Sequence, residues 1–311
     1  MNSNVSTLLR YPGGKSIFTE YFSRFVKANH LKNSIYAEPY CGGAGTAINL
    51  LKSGIVKKII LNDADIAIYS FWYSIKYYPN EFLQMLEKTP VNLDEWNKQK
   101  KILTNGKLGI YNSLLDLGFS TFFLNRCNRS GILTAGPIGG SSLDKQLQAN
   151  YKIDARFNKV NLKNKLLVLI ELSNNIDIFN YDALVFLENV IKKQNEIDQL
   201  NTFVYLDPPY YGQGSNLYLN YYNKSDHQTL REFLYKKDNL FKWLLSYDNI
   251  KPIRELYQSF EKYTFYINYS AQNNKLGSEL LIKSENSFLP KSLIVKKLKN
   301  KKQIELTRIS E

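Results

Sequence analysis

A short strand, a glycine-rich turn, a helix and a second strand ending in an acid constrain this chain more than any other feature. Ser34–Glu38 reads as a strand, Pro39-Tyr40-Cys41-Gly42-Gly43-Ala44-Gly45 as the turn, Thr46 to Lys52 as a helix closed by Gly54, and Lys58–Asn62 as an apolar strand running into Asp63. That succession opens a doubly wound α/β sheet of the nucleotide-binding kind. The turn lacks the G-x-G-x-x-G spacing, which disfavours a dinucleotide. Gly42, Gly43 and Gly45 still let backbone approach a ligand closely at a helix amino terminus. Asp63 is placed to hold ribose hydroxyls, with Asp65 as a rival and a plain strand-end acid as the alternative.

The rest of the chain suits one large α/β domain carrying an insertion, since 311 residues exceed the usual span of a single compact unit. From Ile66 to about Gly118 the pattern is helical, with Trp72, Leu83, Leu86 and Trp96 as packing residues. Phe119–Leu124 is apolar and β-prone, and residues 125–146 are dense in Gly, Ser, Asn and Arg. Lys165–Leu172 fits either a helix or a strand. The sheet resumes at Asp177–Asn180 and at Thr202–Leu206, an apolar run typical of a fully buried parallel strand. A capping box at Ser225-Asp226-His227-Gln228 opens a helix through Lys236. Phe241–Leu245 is a further strand, Pro252–Phe260 a helix, and Tyr263–Tyr269 and Glu279–Lys283 two closing strands. The expected division is a catalytic domain of residues 1–68 and 166–290, an inserted domain of 69–165, and a basic segment of 291–311 that is either a tail or an edge strand.

Composition narrows the partners. No run of about 18 apolar residues occurs and Met1 to Tyr11 carries no secretory pattern, so a cytoplasmic protein is expected. Two cysteines, Cys41 and Cys127, make no disulfide framework, and with only His30 and His227 as histidines no metal site is expected. Of the net charge of +13, residues 126–165 carry +6 and residues 291–311 carry +5. Blocks of this kind suit a polyanion, although a solvated lysine-rich surface gives the same count.

Asp207-Pro208-Pro209-Tyr210 carries the chemistry. Two prolines donate no N–H and hold φ near −65°, so the chain leaves the strand rigidly with its carbonyls fixed. A carboxylate and a fixed carbonyl can then accept both hydrogens of one planar amine while Tyr210 offers a stacking face. The bland alternative is a strand-ending turn. An adenine amino nitrogen is a poor nucleophile because its lone pair is delocalised; accepting its protons at Asp207 and at the Pro208 carbonyl would aim that lone pair at an activated methyl. Tyr11-Pro12-Gly13-Gly14-Lys15 is a loop suited to an amino-acid carboxylate rather than a triphosphate.

In this order the four motifs resemble the Dam-type family of DNA adenine-N6 methyltransferases, over residues 6 to 285. The resemblance implies a class I methyltransferase (Rossmann-like) α/β sheet with helices on both faces, and an inserted, mostly helical target-recognition domain with a hairpin. It implies S-adenosylmethionine as cofactor, with Tyr11, Lys15, Pro39 and Gly42 at its methionine part and Asp63 at its ribose. Asp182 is the nearest match to the acid that contacts the cofactor adenine, with Phe179 or Tyr181 for stacking. Asp207 also borders the cofactor and, with Pro208, Pro209 and Tyr210, holds an adenine flipped out of double-stranded DNA. Phe122 to Gly131 resembles the target-recognition segment, which gives Arg126, Asn128, Arg129, Lys152 and Arg156 as DNA-binding residues, Arg126 and Arg129 being the leading candidates for base edges. A monomer or weak dimer, with a cognate restriction endonuclease as a further partner, fits the same picture. The rivals are methylation of RNA adenine or a protein amide on the same fold, or a DNA-binding relative without catalysis. His227 reads as a helix-start residue, Cys127 as packing, and Tyr218, Tyr221 and Tyr222 as an aromatic cluster after the proline motif.

Overall fold

The computed structural model describes residues 7–10, 18–211, 222–236, 239–269, 275–290, 292–297, 300–305 and 307–309. In chain order the helices are α1 Thr19–Ala28, α2 Gly45–Lys52, α3 Ile66–Tyr77, α4 Pro79–Lys88, α5 Leu93–Lys107, α6 Leu114–Cys127, α7 Leu143–Gln148, α8 Lys159–Leu172, α9 Ala183–Phe186, α10 Glu196–Leu200, α11 Lys224–Tyr235 and α12 Lys251–Leu256. The strands are β1 Ile35–Glu38, β2 Lys58–Asn62, β3 Ile176–Phe179, β4 Thr202–Leu206, β5 Lys242–Asp248, β6 Lys262–Tyr269, β7 Lys275–Lys283, β8 Ser292–Lys297, β9 Asn300–Glu305 and β10 Thr307–Arg308. Two compact units result: Met1–Gly14 with Asp65–Asn180, and Lys15–Ala64 with Tyr181–Glu311. Among the described residues no helix is long and apolar enough to cross a membrane.

The second unit holds a mixed sheet in the order β10-β6-β7-β5-β4-β1-β2. β1 pairs in parallel with β2 on one side and with β4 on the other, β4 pairs in parallel with β5, and β5–β7, β7–β6 and β6–β10 are antiparallel. This is the α/β architecture of a class I methyltransferase. Strand order reverses between β1 and β4, where Ala37 lies opposite Val204, and in open α/β sheets ligands bind at the carboxyl ends of strands flanking such a switch. β4 is buried at every position, as its unbroken apolar sequence requires. Phe22 and Phe25 of α1 pack on Phe203, with ring centroids 5.1 and 4.5 Å apart, and Phe22 also meets Tyr205 at 4.7 Å. The capping box of α11 is built by Asn223, which accepts from Ser225 N and Asp226 N, and by Asp226, which accepts from Asn223 N. It lies two residues before the position expected from sequence, so His227 faces inward and is buried. The last helix stops at Leu256 rather than Phe260, and residues after 291 form strands: β8 with β9 as a two-stranded sheet, and β10 on β6.

In the first unit, capping side chains start most helices: Asp65, Asn92, Ser113, Ser142 and Asn158 accept backbone N–H groups at the amino termini of α3, α5, α6, α7 and α8. Asp65 also pairs with Lys107 at 3.3 Å. Phe119–Leu124, β-prone in sequence, lies within α6, and Lys165–Leu172 within α8. The reason is burial: α6 is buried from Leu117 to Cys127, so its apolar residues surround the axis and leave no helical period to read. Phe71, Phe82, Phe119, Phe122 and Phe157 interlock around it. The expected hairpin is short, a single antiparallel bridge between Asn128 and Pro137 flanked by Ile138 N to Cys127 O at 2.8 Å and Arg129 N to Gly136 O at 3.1 Å.

Gly118 allows the backbones of α3 and α6 to approach; a methyl there would collide with Ser70 O and Ser74 Oγ. Gly118→Ala is therefore expected to destabilise the protein by about 1–3 kcal/mol through overpacking, read as a lowered midpoint in urea unfolding.

Candidate functional site

The glycine turn and the proline corner leave adjacent parallel strands at the same end of the sheet, because β1 and β4 are neighbours. On the β1 side, Gly42 (φ 44°) and Ala44 (φ 45°) both adopt left-handed backbone, which curls the turn before α2. Gly42 N donates to Asp63 Oδ2 at 2.9 Å, so the acid ending β2 already grips the turn that follows β1. Asn62, fully buried, ties three segments together. Its amide donates to Pro39 O at 2.9 Å and to Tyr181 O at 3.0 Å, and its oxygen accepts from Tyr181 N at 2.9 Å. Pro39, Gly42, Asp63 and the chain entering Asp182 are thereby held in one neighbourhood. Asp182 itself is exposed and caps α9, accepting from Leu184 N at 2.8 Å. Tyr40 and Tyr222 share a hydroxyl–hydroxyl hydrogen bond of 2.5 Å.

On the β4 side, Asp207 and Tyr210 are half-buried and Pro208 is buried. Ser246 Oγ, on the neighbouring strand β5, donates to Asp207 Oδ1 at 2.6 Å. With its proton committed there, Ser246 accepts from Tyr205 OH at 2.8 Å. Both Ser246 and Tyr205 are buried, so one oxygen of Asp207 is held by a relay locked into the sheet. Tyr210 OH donates to Glu279 Oε1 at 2.8 Å. The Asp207 end of β4 thus lies one strand from the turn, within electrostatic reach of Glu38 at the end of β1.

Sequence reasoning marks Asn62 only as the neighbour of Asp63 and does not single out Tyr205, Ser246 or Glu279. Each acts through a residue distant in the chain, and only the strand register shows it. His227 is likewise a core residue: its Nδ1 meets Tyr247 OH at 2.7 Å, and burial lowers its pKa. Cys41 and Cys127 are buried, and burial pushes both thiols up, which leaves them inert as nucleophiles. Among the described residues no group of His, Cys, Asp and Glu could hold a metal ion. Tyr11, Lys15, Tyr218 and Tyr221 lie outside the described residues.

The residues expected on DNA fall into two groups. Arg129, Lys152 and Arg156 are exposed. Asn128 is not: it is fully buried, accepts from Trp96 Nε1 at 2.7 Å, and donates to Ile132 O and Leu133 O, both at 3.0 Å. Its side chain is spent on folding the loop, which corrects the expectation of a base contact. Arg126 is only 9% exposed. Burial and the neighbouring Arg10 and Arg156 guanidinia pull its pKa down to about 10.

Glu38 is buried and accepts from Tyr36 OH at 2.8 Å. Burial, reinforced by the charge of Asp207, pushes its carboxyl up to about 8. A folded-state pKa above the unfolded value means stability that is fully present below about pH 4.5 and lost as pH rises through 8. Glu38→Gln should therefore narrow the loss of melting temperature between pH 5 and pH 9, the gap between wild type and variant shifting in the variant's favour as pH rises; parallel melting curves for the two would contradict this.

A search of curated proteins finds no match to the chain. Residues 11–270 match the family described as D12 class N6 adenine-specific DNA methyltransferase. That span covers most of the 311 residues and includes the glycine turn, Asp63 and the whole proline corner. The chain belongs to the D12 class N6 adenine-specific DNA methyltransferases, an enzyme family that acts on DNA.

Proposed function

We propose that this enzyme transfers the methyl group of S-adenosylmethionine to N6 of an adenine flipped out of duplex DNA, with the second unit as catalytic domain and the first as target-recognition domain. The observation that carries the reading is the braced acceptor: Asp207, fixed by Ser246 and Tyr205, followed by two prolines at the strand end next to the glycine turn. One oxygen of Asp207 and the Pro208 carbonyl accept the two N6 hydrogens, so that the nitrogen lone pair points along the line of displacement. Tyr210 stacks on the base. After transfer the surplus N6 proton leaves along the hydrogen bond to Asp207 or to water. No covalent intermediate is needed, which agrees with two buried, inert thiols.

The residues present fit the cofactor. The turn of Pro39 and Gly42 gives close backbone approach, Asp63 supplies ribose acceptors beside it, and Asp182 is held by the Asn62 staple on the same side. Tyr11 and Lys15 complete the methionine end in this reading. The bound cofactor supplies an activated sulfonium methyl. Everything else is alignment by the chain.

Exposed Arg129, Lys152 and Arg156 meet DNA, Arg129 as the better candidate for a base edge because its side chain is exposed whereas that of Arg126 is enclosed. Arg126 adds charge from behind them. A cytoplasmic location and a restriction endonuclease of the same specificity as companion fit this reading.

Asp207→Ala should lower methyl transfer from labelled cofactor to unmethylated genomic DNA by about a thousandfold while DNA affinity stays within about tenfold; retained turnover would remove the mechanism. Lys152→Ala or Arg156→Ala should weaken DNA binding and reduce the slope of log affinity against log salt by about 1 each, measured by fluorescence anisotropy across a potassium chloride series.

A further inference from the structure

Glu279 stands in a place where the sheet alone gives no reason for an acid. It lies on β7 between β5 and β6, directly opposite Asp248 on one side and Phe265 on the other. It is 1% exposed, and the next three residues along the strand, Leu280, Leu281 and Ile282, are the buried apolar residues such a position ordinarily takes. Facing acids across an antiparallel pair repel each other; burial chiefly pushes the Asp248 carboxyl up to about 6, and the charge of Glu279 adds a smaller part. Glu279 also lies beyond residue 270, where the family match ends.

What the position provides is an acceptor for Tyr210. The backbone of Tyr210 follows two prolines, so its Cα is fixed from one side; the hydrogen bond from its hydroxyl to Glu279 Oε1 at 2.8 Å fixes the other end of the ring. The phenol oxygen lies on the long axis of the ring, so these two anchors set the direction of that axis. We infer that Glu279 is a positioning residue that sets the orientation of the Tyr210 ring for the target base. This rests on the adenine-N6 reading above, in which Tyr210 is the stacking platform. The cross-strand repulsion is the structural cost of that orientation, in the way functional sites retain locally unfavourable arrangements.

Charge is not what the role requires. An uncharged acceptor of the same shape serves equally, whereas an apolar residue of similar size fills the strand position but offers the phenol no acceptor there. This separates positioning from folding.

The test uses full-length wild type, Glu279→Gln, Glu279→Leu, Tyr210→Phe and the double variant Glu279→Leu/Tyr210→Phe, with labelled S-adenosylmethionine and unmethylated genomic DNA. Glu279→Gln should retain kcat within about threefold, whereas Glu279→Leu should lose about 10–100-fold in kcat, the scale of a small misplacement at a reacting centre, with KM for DNA little changed. Thermal midpoints of both Glu279 variants should equal or exceed wild type, because the facing acids are gone. In the Tyr210→Phe background Glu279→Leu should add less than about twofold, since both changes remove the same hydrogen bond. Additive losses in the double variant, a Gln variant as impaired as Leu, or a lowered melting temperature in the Gln variant would overturn the inference. Failure of the underlying reading looks different: wild type would then leave DNA adenine unmethylated or Asp207→Ala would remain active.

Discussion

Parallel pairing of β1 with β4 is the constraint on which the site depends. Each strand ends in a rigid, unusual turn, one shaped by left-handed Gly42 and Ala44, the other by Pro208 and Pro209. Neither turn is a site alone. Register places them side by side, with Ala37 opposite Val204, so that the last residues before each turn, Glu38 and Leu206, finish at the same edge. The same pairing explains why the two acids nearest the corner behave differently. Glu38 is enclosed and holds its proton to about pH 8, and the charge of Asp207 contributes to that shift. Asp207 is half open and accepts from Ser246. Two carboxyl groups with environments this unlike can play unlike parts in one centre.

Around that centre acids gather: Glu38, Asp207 and Asp248 fall at or just after the ends of β1, β4 and β5, and Glu279 lies opposite Asp248 within β7. The chain as a whole carries +13. The basic residues of 126–165 lie in the other unit, and those of 291–311 in the same unit as these acids. Attraction of phosphate acts over about a Debye length, roughly 8–10 Å at physiological salt, whereas acceptance of an amine needs contact distance. A polyanion can be drawn in by one set of groups without neutralising the other.

Much of the fold was legible because local chemistry and tertiary role coincide at β1, the glycine turn, β2 and β4. Strands buried on both faces read as apolar runs, and prolines and glycines mark where they end. Legibility failed where a residue's meaning comes from a distant partner. Phe119–Leu124 looks like a strand until Phe71, Phe82 and Phe157 are seen to surround it as a helix. Asn128 looks like a base-reading amide until Trp96 is found to donate to it. Ser246 and Glu279 carry no local signal at all, since a serine or a glutamate in a strand is ordinary until the register sets it against Asp207 or Tyr210.

Arg126 shows how the same failure changes a mechanism. Sequence placed it beside Arg129 as a reader of bases, yet only Arg129 is exposed. Within the described residues the Arg126 Nε has no hydrogen-bond partner, and its terminal nitrogen makes only a long 3.5 Å contact to Thr7 O. Burial lowers the pKa of Arg126, with Arg10 and Arg156 adding to it as like charges, and burial followed by the charge of Arg126 lowers that of Lys165. An enclosed cation with cationic neighbours is costly to fold, because neither water nor an acid compensates it fully. An anion brought within reach of these guanidinia would offset that cost.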